Sequence, residues 1–382
     1  MRSRAAVVII GGGVIGASVA YHLAERGLSD VLVIERGALG SGSTGRSAGG
    51  VRQQFSTEAN CRLSILSVEK LLRFQDQTGW DPGFHQVGYL FLLTQREHWD
   101  LFQRTVDLQR RLGIPVGLLT PGEAQALAPP IVVDDVLGAT FCPTDGHADP
   151  TQVCLGYASA ARARGVEVAS GVTVTSVEAA GGRVAAVDTD QGRVITPLVV
   201  DAAGPWAAQI AAMAGIEVPV RPYRRQIYYT ASFPQVPDAA PMVVDFASSM
   251  YFRREGPGLL LGMTDRSEPS SFRTNTDDAF LAMLIEHAVR RVPAIESVGM
   301  VRGWAGLYDA TPDANPILGA VPGLDGFIMA AGFSGHGFMH APATGQLLAE
   351  LIADGAAHTV DIGPFALGRF QSAEGSAEQN VI

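Results

Sequence analysis

The chain has 382 residues, 47% of them hydrophobic and 17% charged, with 44 glycines and a formal net charge of -10. This length supports a large core and two domains. The composition excludes a disordered chain, and the acidic balance without a long basic stretch excludes a nucleic-acid partner.

Arg2 and Arg4 precede an almost uninterrupted apolar run from Ala5 to Ala24, the pattern of an export signal or a membrane span. Gly11-Gly12-Gly13 interrupts that run and Glu35 closes the next one, so it reads as fold rather than leader. No other segment reads as a membrane span. Residues 5–10 are too short for a helix and suit a strand buried on both faces. Residues 14–26 read as a helix stopped by Gly27, and Val31 to Ile34 as a second buried strand. A βαβ-type unit therefore fits within 35 residues. The loop 37–50 is rich in Gly, Ser and Thr, and so long a loop is usually functional.

Residues 57–78 read as one amphipathic helix, with Leu63, Leu66, Leu71 and Phe74 near one stripe. The strand-like runs Tyr89 to Leu93 and Val136 to Phe141 flank a charged helix near 95–112. Asp81-Pro82 and Pro121-Gly122 read as turns without chemistry. Asp149 and Pro150 supply an N-cap and a first helical residue, and that helix ends at Gly165. Strands over 166–200 turn at Gly181-Gly182 and Gln191-Gly192. Residues 223–310 mix strands with one helix, 277–291. A last strand, Phe327 to Ala331, runs into a glycine-rich segment and a helix to about Ala353. The polar stretch 371–382 reads as a loose tail.

Cys61, Cys142 and Cys154 lack metal or disulfide spacing and suit buried apolar positions in a reducing, cytoplasmic compartment.

The sharpest motif is Gly11-Gly12-Gly13-Val14-Ile15-Gly16, which follows a strand and opens a helix. Gly11 permits the turn, Gly13 lets a pyrophosphate reach the backbone, and Gly16 allows close helix–strand packing. The amides that follow, at Val14 and Ile15, face the phosphates with the positive end of the helix dipole. Glu35, nineteen residues after Gly16, is placed to accept from ribose hydroxyls, with Arg36 beside it. The motif by itself fits NAD as well as FAD.

A second loop separates them. Ser43-Thr44-Gly45-Arg46-Ser47-Ala48-Gly49-Gly50 follows the ribose carboxylate directly. With Asp145-Gly146-His147-Ala148-Asp149-Pro150, Ala202-Ala203-Gly204-Pro205-Trp206 and Gly332-Phe333-Ser334-Gly335-His336-Gly337-Phe338, it resembles the D-amino-acid oxidase-like FAD-dependent oxidoreductases. The resemblance is to the glycine oxidase, sarcosine oxidase and proline dehydrogenase β-subunit branch, over nearly the whole chain. It implies an α/β (α+β) architecture: a Rossmann-type FAD-binding domain of three segments, 1–80, 145–222 and 318–370. A substrate-binding domain of two segments, 81–144 and 223–317, carries a mixed, largely antiparallel sheet.

The resemblance also implies roles. The 43–50 loop runs past the flavin ring, Val174 contacts adenine, and Ala203, Gly204 and Trp206 lie near the cofactor. Residues 332–339, Met339 included, follow the pyrimidine edge at a helix N-terminus, where free amides suit the anionic reduced flavin. Gly306 and Arg46 stand where some relatives carry a flavin-linking Cys or His, so the FAD is expected to be non-covalent. Leu260 stands where monomeric sarcosine oxidase uses a lysine in oxygen reduction, leaving open oxygen or a protein electron acceptor.

Tyr308 and Met339 replace two familiar carboxylate anchors of the relatives. Arg52 matches a third and is the first choice for the substrate carboxylate, a guanidinium being suited to bidentate binding. Tyr251 and Arg225 are its expected helpers. His336 either donates to flavin or substrate or, with His340 four residues on, forms a metal pair; the missing Glu and the surrounding glycines favour the first, and no metal is expected.

The implied reaction is oxidation of the C–N bond of a small amine, secondary amine or imino acid, such as sarcosine, glycine, proline or iminodiacetate, by hydride transfer to flavin N5. The rivals are an FAD-binding subunit of a multi-chain dehydrogenase, an NAD-dependent dehydrogenase and a non-enzymatic flavoprotein. The oligomeric state stays open.

Overall fold

The structure is a computed structural model that describes residues 1–371 and 377–382. The N-terminal unit forms as its pattern predicts: β1 (Val7–Ile10), α1 (Val14–Glu25) and β2 (Val31–Glu35). β1 lies inside a six-stranded sheet whose order is 317–320, 327–331, 199–201, β1, β2, 167–170. Every pairing in it is parallel except that of Ile317–Ala320 with Phe327–Ala331. All of β1 is buried, as an apolar strand covered on both faces must be. Each such aliphatic side chain gains about 1.5–3 kcal/mol from burial. α1 packs against the final helix, Gly337–Asp354, and they approach so closely that a Cβ at Gly345 would sit 2.1 Å from Ser18 Oγ. The apolar run 5–24 is thus a strand and a helix of the core. No helix among the described residues is long and apolar enough to cross a membrane.

A second sheet has eight strands in the order 300–310, 221–230, 258–263, 250–255, 242–245, 89–93, 138–142, 117–119. It is antiparallel except where Met242–Asp245 runs parallel to Tyr89–Leu93. Its two faces have different tasks, as the two-residue period of a strand dictates. From Arg221–Thr230, Arg225 and Ile227 line an internal cavity. On the opposite face Tyr228 packs with Phe280 of the helix Asp278–Arg291, and Arg224 pairs with Glu268 and Asp277.

Three expectations are corrected. The helix expected over 57–78 breaks at Arg73 into α2 (Glu58–Leu72) and a short helix Phe74–Thr78. The buried Phe74 ring lies 4.8 Å from Tyr157 and fills the space beside Gly156, so tertiary packing overrides a continuous helix. Pro121-Gly122 is not a bare turn: it opens the helix Pro121–Leu127 through a capping box. There Glu123 N donates to Thr120 Oγ1 and Thr120 N to Glu123 Oε2. Within the expected loose tail, residues 372–376 lie outside the described residues. Residues 377–382 are not loose, since Glu378 and Asn380 are buried and hydrogen-bonded to the body of the protein.

Candidate functional site

A cavity of about 670 Å³ lies between the C-terminal ends of the parallel strands and the inner face of the eight-stranded sheet. That size falls within the roughly 300–1,000 Å³ of small-molecule sites, and the ends of parallel strands are their usual place. One end is the dinucleotide turn. Gly11 has φ +114°, and a Cβ there would lie 2.3 Å from Ala202 O. A Cβ at Gly16 would lie 2.0 Å from Gly11 O, so α1 packs against the end of β1 only because Gly16 is bare. Val14 N donates to Thr44 Oγ1 at 3.0 Å, while the Gly13 and Ile15 amides have no partner among the described residues. These free donors at a helix N-terminus suit an anion. Glu35 accepts from Gly12 N and Gly37 N, each at 2.7 Å, which fixes its carboxylate at the cavity wall. Arg36 lies 3.8 Å over the Trp206 ring, which stacks on Phe272. Val174 and Gly204 line the same end.

The 43–50 loop forms the middle of the cavity and is tied to the strand Met300–Ala310. Ser43 Oγ donates to Leu307 O at 2.7 Å, Arg46 Nη1 to Ala305 O at 3.0 Å, and Trp304 Nε1 to Arg46 O at 3.1 Å. Opposite lies the turn into the final helix. Ser334 takes φ +53°, held by Ser334 N donating to Asp309 O and Thr311 N donating to Ser334 Oγ. The amides of Gly335, Gly337 and Met339 have no partner among the described residues, so this helix also presents open donors to the cavity. Asp309 accepts from Gly332 N at 2.7 Å; burial raises its pKa to about 6, with the amides opposing. Of the expected cofactor residues, Gly16, Gly49 and Gly332 do not line the cavity. They shape its walls: Gly49, for example, packs where a Cβ would meet Ala148 O at 2.3 Å.

The other end is cationic and aromatic. Arg52, His336, Arg225, Tyr251 and Tyr308 all line it. Arg52 is 1% exposed and has no acidic partner within salt-bridge distance among the described residues. Burial draws its pKa below the ordinary value. Its guanidinium lies 3.9 Å over Phe55. Nη1 donates to Gln54 O at 2.6 Å, and Nη2 donates to Asn380 O at 2.5 Å and to His336 Nε2 at 3.1 Å. Both Nη2 hydrogens are therefore engaged, which corrects the expected bidentate role: no two-nitrogen edge of Arg52 is free while Asn380 is in place. Because arginine only donates, Nε2 of His336 accepts and its proton sits on Nδ1, which is buried without a partner. Burial, with Arg52 and His340 nearby, holds His336 well below the usual imidazole pKa, so it is neutral. His340 instead meets Ser64 Oγ at 3.0 Å.

Arg225 is freer. Nη1 donates to Arg224 O at 2.8 Å, and among the described residues Nη2 has no partner and no acid pairs with it. Its guanidinium lies 4.9 Å from the Tyr308 ring centroid. Tyr308 in turn packs on Gly335, where a Cβ would lie 2.5 Å from the ring. Tyr251 is buried, and neither its hydroxyl nor that of Tyr308 has a hydrogen-bond partner among the described residues. Lining residues missed in the sequence include Tyr89, Met242, Asp309 and Ile382. Asp309 follows Tyr308 directly and was open to the same reading; the others carry no motif.

The family described as FAD dependent oxidoreductase (DAO) matches residues 6–351, and the chain belongs to it. Human mitochondrial sarcosine dehydrogenase is 33% identical over an alignment of 370 residues that covers 92% of this chain and 40% of that protein. The chain thus spans about two fifths of that relative. Among solved structures, L-proline dehydrogenase from P. horikoshii matches with a TM-score of 0.91 and 35% identity, covering 97% of this chain and 99% of that one. Glycine oxidase from Geobacillus kaustophilus gives 0.86 and 29%, covering 96% and 99%. The residues present fit FAD: a glycine turn with free amides at one end, a second helix N-terminus with free amides, and the unpartnered His336 Nδ1.

Proposed function

We propose that the chain oxidises the C–N bond of a small amino or imino acid, such as sarcosine, glycine, proline or iminodiacetate, with non-covalently bound FAD. The observation that carries this is the presence of two arginines, Arg52 and Arg225, without acidic partners among the described residues, in one cavity with a dinucleotide cradle. A cation enclosed without a counter-ion is costly, and a substrate carboxylate relieves that cost.

Arg225 is the better carboxylate holder, because Nη2 and one Nη1 hydrogen remain free. Arg52 contributes charge from behind. Tyr251 and Tyr308 offer hydroxyls to the carboxylate or the amine. The two cations also disfavour a protonated amine, leaving the nitrogen lone pair that drives loss of the α-hydrogen. FAD, held by the Gly11–Gly16 turn, the 43–50 loop and the 332–339 turn, would supply the hydride acceptor for that hydrogen, and the imine left on the substrate would hydrolyse to a carbonyl product and an amine or ammonia. The protein's part is to orient the substrate, exclude water and present amide donors from the 332–339 turn where negative charge develops.

Segments 1–80, 145–222 and 318–370 would then form the FAD-binding domain, and 81–144 with 223–317 the substrate domain. The electron acceptor is oxygen or a partner protein, and Leu260, buried in an apolar cluster with Tyr251 and Met242, favours the partner. The three cysteines, all free and buried, fit a reducing, cytoplasmic setting.

The test is spectral. The purified chain is expected to be yellow, to bleach anaerobically with at least one of these substrates, and to give a colourless pellet in acid. A colourless protein, or a yellow one that none of them reduces, would overturn the proposal.

A further inference from the structure

The segment 378–382 enters the cavity wall from outside every motif. Glu378 anchors it. Oε1 accepts from Ser56 N at 2.7 Å and Asn380 N at 3.0 Å. Oε2 accepts from Thr57 N at 3.2 Å, Thr57 Oγ1 at 3.0 Å and Asn60 Nδ2 at 3.0 Å. α2 has no cap from its own N-cap side chain, Thr57, so this distant carboxylate supplies one. Asn380, fully buried, then turns its carbonyl onto Arg52 Nη2 and donates Nδ2 to Gln54 O at 3.3 Å. Two residues on, Ile382 lines the cavity and packs on the cluster that holds Tyr89, Met242 and Tyr251.

We propose that residues 378–382 are a wall of the substrate site: the Asn380 carbonyl sets the angle of Arg52, and Ile382 sets the size of the group accepted beside the amine. This deepens the function proposed above and rests on it for the identity of the substrate. The arrangement has a physical logic. A guanidinium with one edge tied to a carbonyl and an imidazole cannot swing toward a bound carboxylate, so its charge acts from a fixed point. An aliphatic side chain at the far wall discriminates by volume, because an extra methylene either fits or collides. Glu378 and Asn380 are positioning residues; Ile382 is the specificity determinant.

The experiment compares Ile382→Ala and Ile382→Trp with the unchanged chain, each loaded with FAD. The readout is the ratio of kcat/KM for N-butylglycine to that for sarcosine. Ile382→Ala is expected to raise the ratio about fivefold or more, and Ile382→Trp to lower it by a similar factor. The same variants are read without turnover, from the thermal shifts given by acetate and by benzoate, whose relative affinities should move in the same two directions. Glu378→Ala is expected to raise KM with little change in kcat, and Glu378→Gln, which keeps one acceptor oxygen, to recover part of it. If no amine reduces the flavin but the acetate–benzoate order still moves, the reaction proposed above falls and the wall stands. If both ratios stay within twofold of the unchanged chain in both Ile382 variants, the wall proposal is wrong.

Discussion

Arg52 and Arg225 are both cations without acidic partners among the described residues, yet their hydrogen bonds assign them different work. Arg225 gives up one hydrogen to the backbone, so Arg225→Met should leave the melting temperature within a degree or two. It should cost the substrate a charge-assisted bond of about 1.5–3 kcal/mol, about 10–150-fold in kcat/KM, chiefly through KM. Arg52→Met should instead leave the Asn380 carbonyl buried without its donor and the Gln54 carbonyl with only Asn380 Nδ2. An orphaned acceptor costs about 1–3 kcal/mol. Its first symptom should be a lower denaturation midpoint, seen before any substrate is added. Equal thermal stability of the two variants would contradict this division.

The elements with strong local grammar were legible in the sequence. β1, α1 and β2 follow from an apolar run, a glycine turn and a second apolar run, because a parallel strand is buried whatever its neighbours are. The helix Pro150–Ala163 was equally plain, since Asp149 Oδ1 accepts from Thr151 N at 2.8 Å and Gln152 N at 3.1 Å. Asp149→Ala should cost about 1 kcal/mol, measurable by urea denaturation, with FAD affinity unchanged. The substrate end was far less legible. Its wall draws single residues from strands more than 200 positions apart, Tyr89 and Tyr308 among them, and alternation along a strand does not say which face meets a ligand. The tail was misread because polar residues were equated with solvent. Its alternation was the available signal: Glu378 and Asn380 point inward around an exposed Gln379, and the carboxylate accepts from Ser56 N, Thr57 N and Asn60 Nδ2 while Asn380 Nδ2 donates to Gln54 O.

Across the whole molecule, buried titratable groups set a pH optimum for stability. His22, His336 and His340 are buried and His147 half-buried, and burial lowers the pKa of His22, His147 and His340 to about 3 and that of His336 well below 6.5. The unfolded chain therefore binds more protons below pH 6.5, and each imidazole removes about 1.4 kcal/mol per pH unit as the pH falls. Asp145, Asp309 and Asp201 oppose this, because burial raises their pKa from 3.8 to about 6, about 6 and about 8. Their folded forms hold protons that the unfolded chain has released, so stability falls as pH rises from 4 to 6 for the first two and from 4 to 8 for the third. The four imidazoles outweigh the three carboxyls in acid, and of these groups only Asp201 acts above pH 6.5. Calorimetry across pH 4–9 should find the highest melting temperature near pH 6.5, and Asp201→Asn should flatten the alkaline side. A maximum at pH 8 or above would refute this ordering.

The strand order of the six-stranded sheet has a consequence for synthesis. β1 is made first, yet one of its two neighbours, residues 199–201, is about 190 positions away, and the next strand, 327–331, is later still. A ribosome must therefore release most of the chain before the nucleotide cradle can close, and sticky hydrophobic edges wait meanwhile for partners not yet translated. Polypeptides ending near residue 310 should be captured by chaperones or precipitate, while binding of FAD marks the moment at which the last strand arrives.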